Sequence, residues 1–386
     1  MLVALCVAIA TTAIAQESKS VKIVDGPYLH AVGENEFTVV WTTDQPAIAW
    51  VELAPNDGTH FYNCERPKYF QAKYGRKSVG TLHTVRVSGL EAATTYRYRI
   101  VNVGAKRGEK DRYIFTETRG SDVYRKQPYF TTTLDPNKSK IKFAVVNDIH
   151  GKTAELETLL GNVREEGYDF VCFNGDMTSR NNAQEEVFKY YLSSAIKLFA
   201  SETPLCFTRG NHETRGAYAT SFPELFPTTT GMPYYSFRQG PAYFIMLDCG
   251  EDKPDSDMEY SNLACYDQYR IAEAEWLRKV VASEEFRSAP VKIVFCHIPP
   301  ETNGWHGAAE IHRLFVPILN EAGIDLWLSG HIHKYRLNKA GENGCNFPVM
   351  CNPNVCRLDA EVTANSVNIN IYDVNATRLH TYQIKK

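Results

Sequence analysis

Several short segments of this chain could do chemistry together. Gly210-Asn211-His212-Glu213 follows the apolar run Leu205-Cys206-Phe207. A glycine lets the backbone turn sharply there, presenting an amide oxygen and an imidazole side by side. Four companions each stand at the end of an apolar run: Asp148-Ile149-His150, Gly175-Asp176, His297 and Gly330-His331-Ile332-His333. Apolar runs of this length read as buried strands, and the carboxyl ends of such strands are where open α/β sheets bind ligands.

Asp148, His150, Asp176, Asn211, His297, His331 and His333 offer only oxygen and imidazole donors. That set exceeds one tetrahedral zinc site and suits two adjacent ions bridged by a carboxylate. Ions roughly 3.5–4 Å apart can clamp the attacking and leaving oxygens of a phosphoryl transfer. Taken singly, each residue is more simply a structural histidine or aspartate. Their joint recurrence at strand ends points to metal.

These five blocks, in this order, resemble the calcineurin-like metallophosphoesterases over about the last two-thirds of the chain. The resemblance implies Asp176 as the bridging ligand. Asp148, His150 and His333 then complete one site, and Asn211, His297 and His331 the other. The ions would lower the pKa of a bound water, so that hydroxide attacks phosphorus in line. His212, beside Asn211, is the candidate general acid, with a purely hydrogen-bonding role as the alternative. Glu213 either orients His212 or caps the following segment. Arg180 and Arg215 are candidate phosphate forks, and surface ion pairs are the alternative. Trp305 and His306 are candidates for contact with the leaving group. His30, His60, His83, His312 and His380 read as structural or surface residues.

Residues 21–133 carry short alternating runs without helical patterns, such as 37–41, 47–51, 83–87 and 96–100. That pattern argues a β-sandwich. Leu90, Thr94 and Tyr96 have the spacing of a tyrosine corner. The region resembles the fibronectin-III-type N-terminal domain of purple acid phosphatases, for which packing and positioning is the expected role. Residues 134–140 are polar with a proline and read as a linker. Residues 141–386 alternate strand and helix patterns, which predicts an α/β (α+β) domain of layered central sheets flanked by helices. Helices are expected over 153–166, 185–199, 272–282 and 311–322, with late strands over 367–371 and 379–384.

Two departures narrow the resemblance. Purple acid phosphatases carry a tyrosine three residues after the bridging aspartate, where this chain has Ser179, and lack a counterpart of His150. A pair of divalent manganese, iron or zinc ions is therefore expected rather than an iron–tyrosinate centre. Ser/Thr protein phosphatases share the Gly-Asn-His-Glu and Arg180 features but have aspartate at the Ser179 position.

The composition fits this picture. The chain has 386 residues, enough for two cores, and a net charge of -3, which gives no sign of a nucleic-acid surface. Residues 1–15 are apolar or small and end in Ala13-Ile14-Ala15, which fits a signal peptide too short to span a bilayer. A secreted or periplasmic protein is expected. Cys172, Cys206 and Cys296 read as reduced core residues, Cys64 has no evident partner, and Cys249 with Cys265 and two of Cys345, Cys351 and Cys356 are expected disulfides. The function expected is hydrolysis of small phosphate mono- or diesters. The alternatives are a nucleotide or cyclic-nucleotide phosphodiesterase, and a binding or adhesion protein whose metal site is structural.

Overall fold

The computed structural model of the chain describes residues 20–386. The apolar leader over residues 1–15, with Cys6, lies outside the described residues. The N-terminal region is sheet-rich. Its spine is one strand, Glu36–Pro55, where the sequence reads as two. The register shifts between Thr42 and Ala47, and the strand changes partners there. Its first half pairs with Gly80–Ser88 and its second with Thr95–Arg107. Side chains from both halves, Phe37, Val39 and Trp41 with Ala49, Val51 and Leu53, close one apolar core. The Tyr96 hydroxyl accepts the Glu91 N–H at 3.0 Å, the bond expected of the corner.

The second region stacks two six-stranded mixed sheets. One contains Lys140–Val146 flanked by Phe170–Asn174 and Arg357–Thr363, the other Ala242–Met246, Val291–Phe295 and Leu326–Ser329. Alternation along a strand sets the layers. Ile141, Phe143 and Val145 join Phe244, Phe295 and Leu328 between the sheets. Ala144 and Val146 face the other way, among Leu156, Leu160 and Tyr191 of the helical layer. On the far side, Val294 and Trp327 meet Ile311, Phe315 and Leu319. The late strands, Ser366–Tyr372 and Arg378–Lys385, extend the first sheet as expected.

Element ends differ from the periodicity. The helix expected from Thr153 breaks into Thr153–Leu160 and Val163–Glu166. The helical run over 184–200 widens twice into π turns. Two helices start earlier than expected, at Tyr266 and His306, because their first turns, Tyr-Asp-Gln-Tyr and His-Gly-Ala-Ala, carry no repeat of large aliphatic residues. The segment 134–140 is pinned rather than loose: Leu134 is buried, and the Asp135 N–H donates to Gln239 Oε1 at 2.9 Å. The expected disulfides are absent, and every cysteine among the described residues is free. Cys249 is buried under the helical layer while Cys265 is exposed, and Cys345, Cys351 and Cys356 are each buried without a bridge. No helix among the described residues is long and apolar enough to cross a membrane.

The two regions share packing. Tyr28 and Val40 enter the helical-layer core of the second region. The Tyr28 hydroxyl donates to Leu225 O and the Tyr98 hydroxyl to Ser201 O, both at 2.6 Å. His30 Nδ1 lies 2.8 Å from Pro227 O. Burial holds His30 and His83 neutral, with pKa values pushed down to about 4. In the unfolded chain both titrate near the ordinary value of about 6.5. Below that pH the unfolded state takes up protons that the fold refuses, so stability declines from about pH 6.5 toward 4. Calorimetry at pH 7.5 and 5.0 is expected to show a lower Tm at the acid pH, with the difference reduced in the His30→Gln variant.

Candidate metal centre

Five of the seven candidate ligands, Asp148, His150, Asp176, His331 and His333, have positive φ, between 48° and 68°. Non-glycine residues adopt this conformation at a cost of roughly 1–3 kcal/mol each, so the surrounding structure must enforce it. A backbone lattice does so. Asp148 N–H donates to Gly175 O, His150 N–H to Asp176 O, Gly151 N–H to Met177 O and Gly330 N–H to His297 O, at 2.8–3.1 Å. These bonds join the loop after Lys140–Val146 to the one after Phe170–Asn174, and the loop after Leu326–Ser329 to the one after Val291–Phe295, at the carboxyl edges of the two sheets. Gly175, at φ 82°, allows a close approach: a Cβ there would meet the His297 ring at 2.6 Å.

Asp148 and Asp176 are essentially excluded from solvent. In each, one carboxylate oxygen is fixed by amide donors. Asp148 Oδ2 accepts from Asn147 Nδ2 at 2.7 Å and from the His331 N–H at 2.9 Å. Asp176 Oδ1 accepts from the His212 N–H at 3.0 Å. The other oxygens face imidazoles: Asp148 Oδ1 lies 3.1 Å from His333 Nε2 and 3.8 Å from His150 Nε2 and His297 Nε2. Asp176 Oδ2 lies 2.9 Å from His297 Nε2 and 3.8 Å from His212 Nε2. Asp148 Oδ1 and His297 Nε2 are buried, and neither makes a hydrogen bond despite these short approaches.

The donor atoms gather in overlapping groups within 4.8 Å: Asp148, His150 and His333; Asp176, His297 and His331; and His150, Asp176 and His212. His331 Nδ1 is 3.1 Å from Asn211 Oδ1, which brings the amide to the second group. His297 Nδ1 donates to Asn174 O at 2.7 Å, leaving Nε2 as the ligating atom. The seven residues thus lie together, and orphaned buried donors of oxygen and imidazole type fit divalent cations.

The electrostatics are uneven. Burial disfavours the His297 cation, but the Asp176 and Asp148 carboxylates outweigh it and raise its pKa to about 10. Burial and the neighbouring His297 push His331 down to about 4. Asp176 is held well below the usual carboxylate range, His297 overcoming burial.

Three residues carry roles that the sequence hid. Glu213 neither orients His212 nor caps the following segment. It is fully buried and accepts the N–H groups of Asp176, Met177 and Gly210, all at 2.8 Å. Burial and the Asp176 charge raise its carboxyl to about 7. Ser179 seats two imidazoles: its carbonyl lies 2.8 Å from His212 Nδ1, and its hydroxyl 3.2 Å from His150 Nδ1. Glu251 holds Arg215, which corrects that residue's expected role. The Arg215 guanidinium is locked by Glu251 at 2.9 Å and Asp252 at 3.2 Å and is not free to fork onto phosphate. Arg180 is exposed, 3.8 Å from Glu259, and lines a neighbouring hollow with Arg215. Trp305 is 63% exposed and lines a cleft of about 540 Å³ together with Asp176, Asn211, His212, His331 and His333. His306 turns away and pairs with Asp267 at 2.8 Å.

Residues 141–335 match the family model described as calcineurin-like phosphoesterase, and residues 24–117 that of the purple acid phosphatase N-terminal domain. Purple acid phosphatase 18 of Arabidopsis thaliana is 24% identical over 354 residues, covering 87% of this chain and 71% of that protein. Purple acid phosphatase 22 of the same plant is 25% identical over 352 residues, covering 84% and 69%. The structure of purple acid phosphatase PPD1 from yellow lupin (Lupinus luteus) seeds has the same fold, with a TM-score of 0.64 at 15% identity over 93% of this chain and 74% of that one.

Removing the Glu213 carboxylate strands three buried N–H groups. The Glu213→Ala variant is expected to lose roughly 3 kcal/mol in urea unfolding, and Glu213→Gln, which keeps one acceptor oxygen, clearly less.

Proposed function

We propose that this chain, which belongs to the calcineurin-like phosphoesterase family and is a metal-dependent phosphoesterase, hydrolyses small phosphate esters at two divalent ions. Asp148, His150, Asp176 and His333 hold one ion. Asp176, Asn211, His297 and His331 hold the other. The observation that carries this reading is the approach of Asp148 Oδ1 and His297 Nε2 to 3.8 Å, both buried and both without a hydrogen bond. Manganese, iron and zinc all suit these donors. Bound there, such ions supply Lewis acidity and ionise water near neutral pH.

The chain's own groups do the rest. His212 Nδ1 donates to Ser179 O, so Nε2 is the atom that holds a proton toward the cleft and gives it to the leaving oxygen. Asn147 and the His331 amide keep Asp148 from rotating, and Glu213 keeps the Asp176 turn closed. The N-terminal region braces the segment around Leu225 and Pro227, a packing role. The apolar leader over residues 1–15 supports an exported location.

p-Nitrophenyl phosphate, its bis-ester and a nucleotide panel test the reading. Phosphoester turnover is expected, abolished by chelator and restored by added divalent ions. His212→Ala is expected to lower kcat about a hundredfold or more with metal content unchanged. Turnover that survives chelation, or a His212→Ala variant at full rate, contradicts the mechanism.

A further inference from the structure

The cleft that holds the ionic groups has a second character. Beside the ligands, its walls are Ile298, Pro299, Trp305, Ala308 and Ile332. Trp305 stands out because most other large rings of the second region are buried, whereas this indole is 63% exposed. It is held at the start of the helix His306–Ala322, whose far side is packed into the core through Ile311 and Phe315. The ring therefore sits on a rigid element, and its face offers a stacking surface.

No lysine or arginine is among the residues that line this cleft. Besides the ligand Asp176, two carboxylates line it, Asp252 and Glu301, and each is paired with an arginine. Arg215 lies 3.2 Å from Asp252, and Arg336 lies 2.5 Å from Glu301. One phosphoryl group can be answered by the ions and imidazoles. A second anionic group on the same substrate would find no cationic side chain among the lining residues, only the Asn303 amide and carboxylates whose charge is already taken up by Arg215 and Arg336, so nothing there offsets its desolvation.

Building on the hydrolase reading above, we propose that Trp305 selects the leaving group, and that the preferred substrates are monophosphate esters whose alcohol is an uncharged aromatic ring. Nucleoside diphosphates and other polyanions are disfavoured. Trp305 acts here on binding and not on the reacting bonds.

Phenylphosphonate and methylphosphonate test this without turnover. Titration calorimetry on the metal-loaded protein is expected to give about tenfold tighter binding of phenylphosphonate, the size of one good aromatic contact with its buried area. In Trp305→Ala the two ligands converge to near-equal affinity, and Trp305→Phe restores most of the difference. In kinetics, phenyl phosphate is expected to exceed glycerol phosphate in kcat/KM by about the same ratio, with the Trp305→Ala loss falling on KM rather than kcat. Equal affinities in the unaltered protein, or a preference untouched by Trp305→Ala, overturn the proposal while leaving phosphoester hydrolysis standing. Failure to bind either phosphonate or to turn over any phosphate ester overturns both.

Discussion

Two buried carboxylates that face imidazoles and no lysine or arginine are the constraint on which this structure depends. Asp148 and Asp176 lie within a few ångströms of imidazoles, and among the described residues only histidines pair with them. Taking such charges out of water costs several kcal/mol each unless something compensates. The neighbouring turns add backbone strain at five left-handed residues. A fold that maintained this arrangement for nothing would be wasting much of its margin of stability. Cations held between the carboxylates and imidazoles would offset the charge, satisfy the unpartnered buried atoms and account for the strain.

The rest of the molecule serves to hold that arrangement still. Two stacked sheets bring four strand ends to one edge, and a dense apolar layer between them resists relative sliding. Glu213 and the backbone bonds between loops fix the turns, and Asn147, Asn174 and Ser179 fix the rotation of individual ligands. The N-terminal region contributes through Tyr28 and Tyr98, whose hydroxyls tie the segments on either side of the Asn211 turn. It is a brace for the site rather than part of it.

The meeting of the seven candidate ligands is legible in the sequence because each follows an apolar run, and the carboxyl ends of strands in a layered fold share one edge. The sheet-rich first region, the layered second one and the late strands were legible for the same reason, since alternation and apolar runs are local signals. What could not be read depends on contacts between distant segments. Glu213 looks like a companion of His212, yet it reaches back to the Asp176 loop, 37 residues away. Arg215 looks free until Glu251 and Asp252 fold onto it. Cys249 looks like a loop cysteine because the strand before it ends at Met246, but the chain stays buried beyond the strand. The long Glu36–Pro55 strand looks like two in sequence, with Asp44-Gln45-Pro46 between the apolar runs, and these turn-type residues mark a register shift within one strand.

The central claim is that seven side chains bind two cations through a shared carboxylate. The most direct test is elemental analysis of the protein purified without chelator, alongside Asp176→Ala confirmed as folded. Two divalent transition-metal ions per chain are expected, falling below one in the variant. A protein that hydrolyses phosphate esters while holding no metal, or an Asp176→Ala variant that keeps both ions, would contradict it.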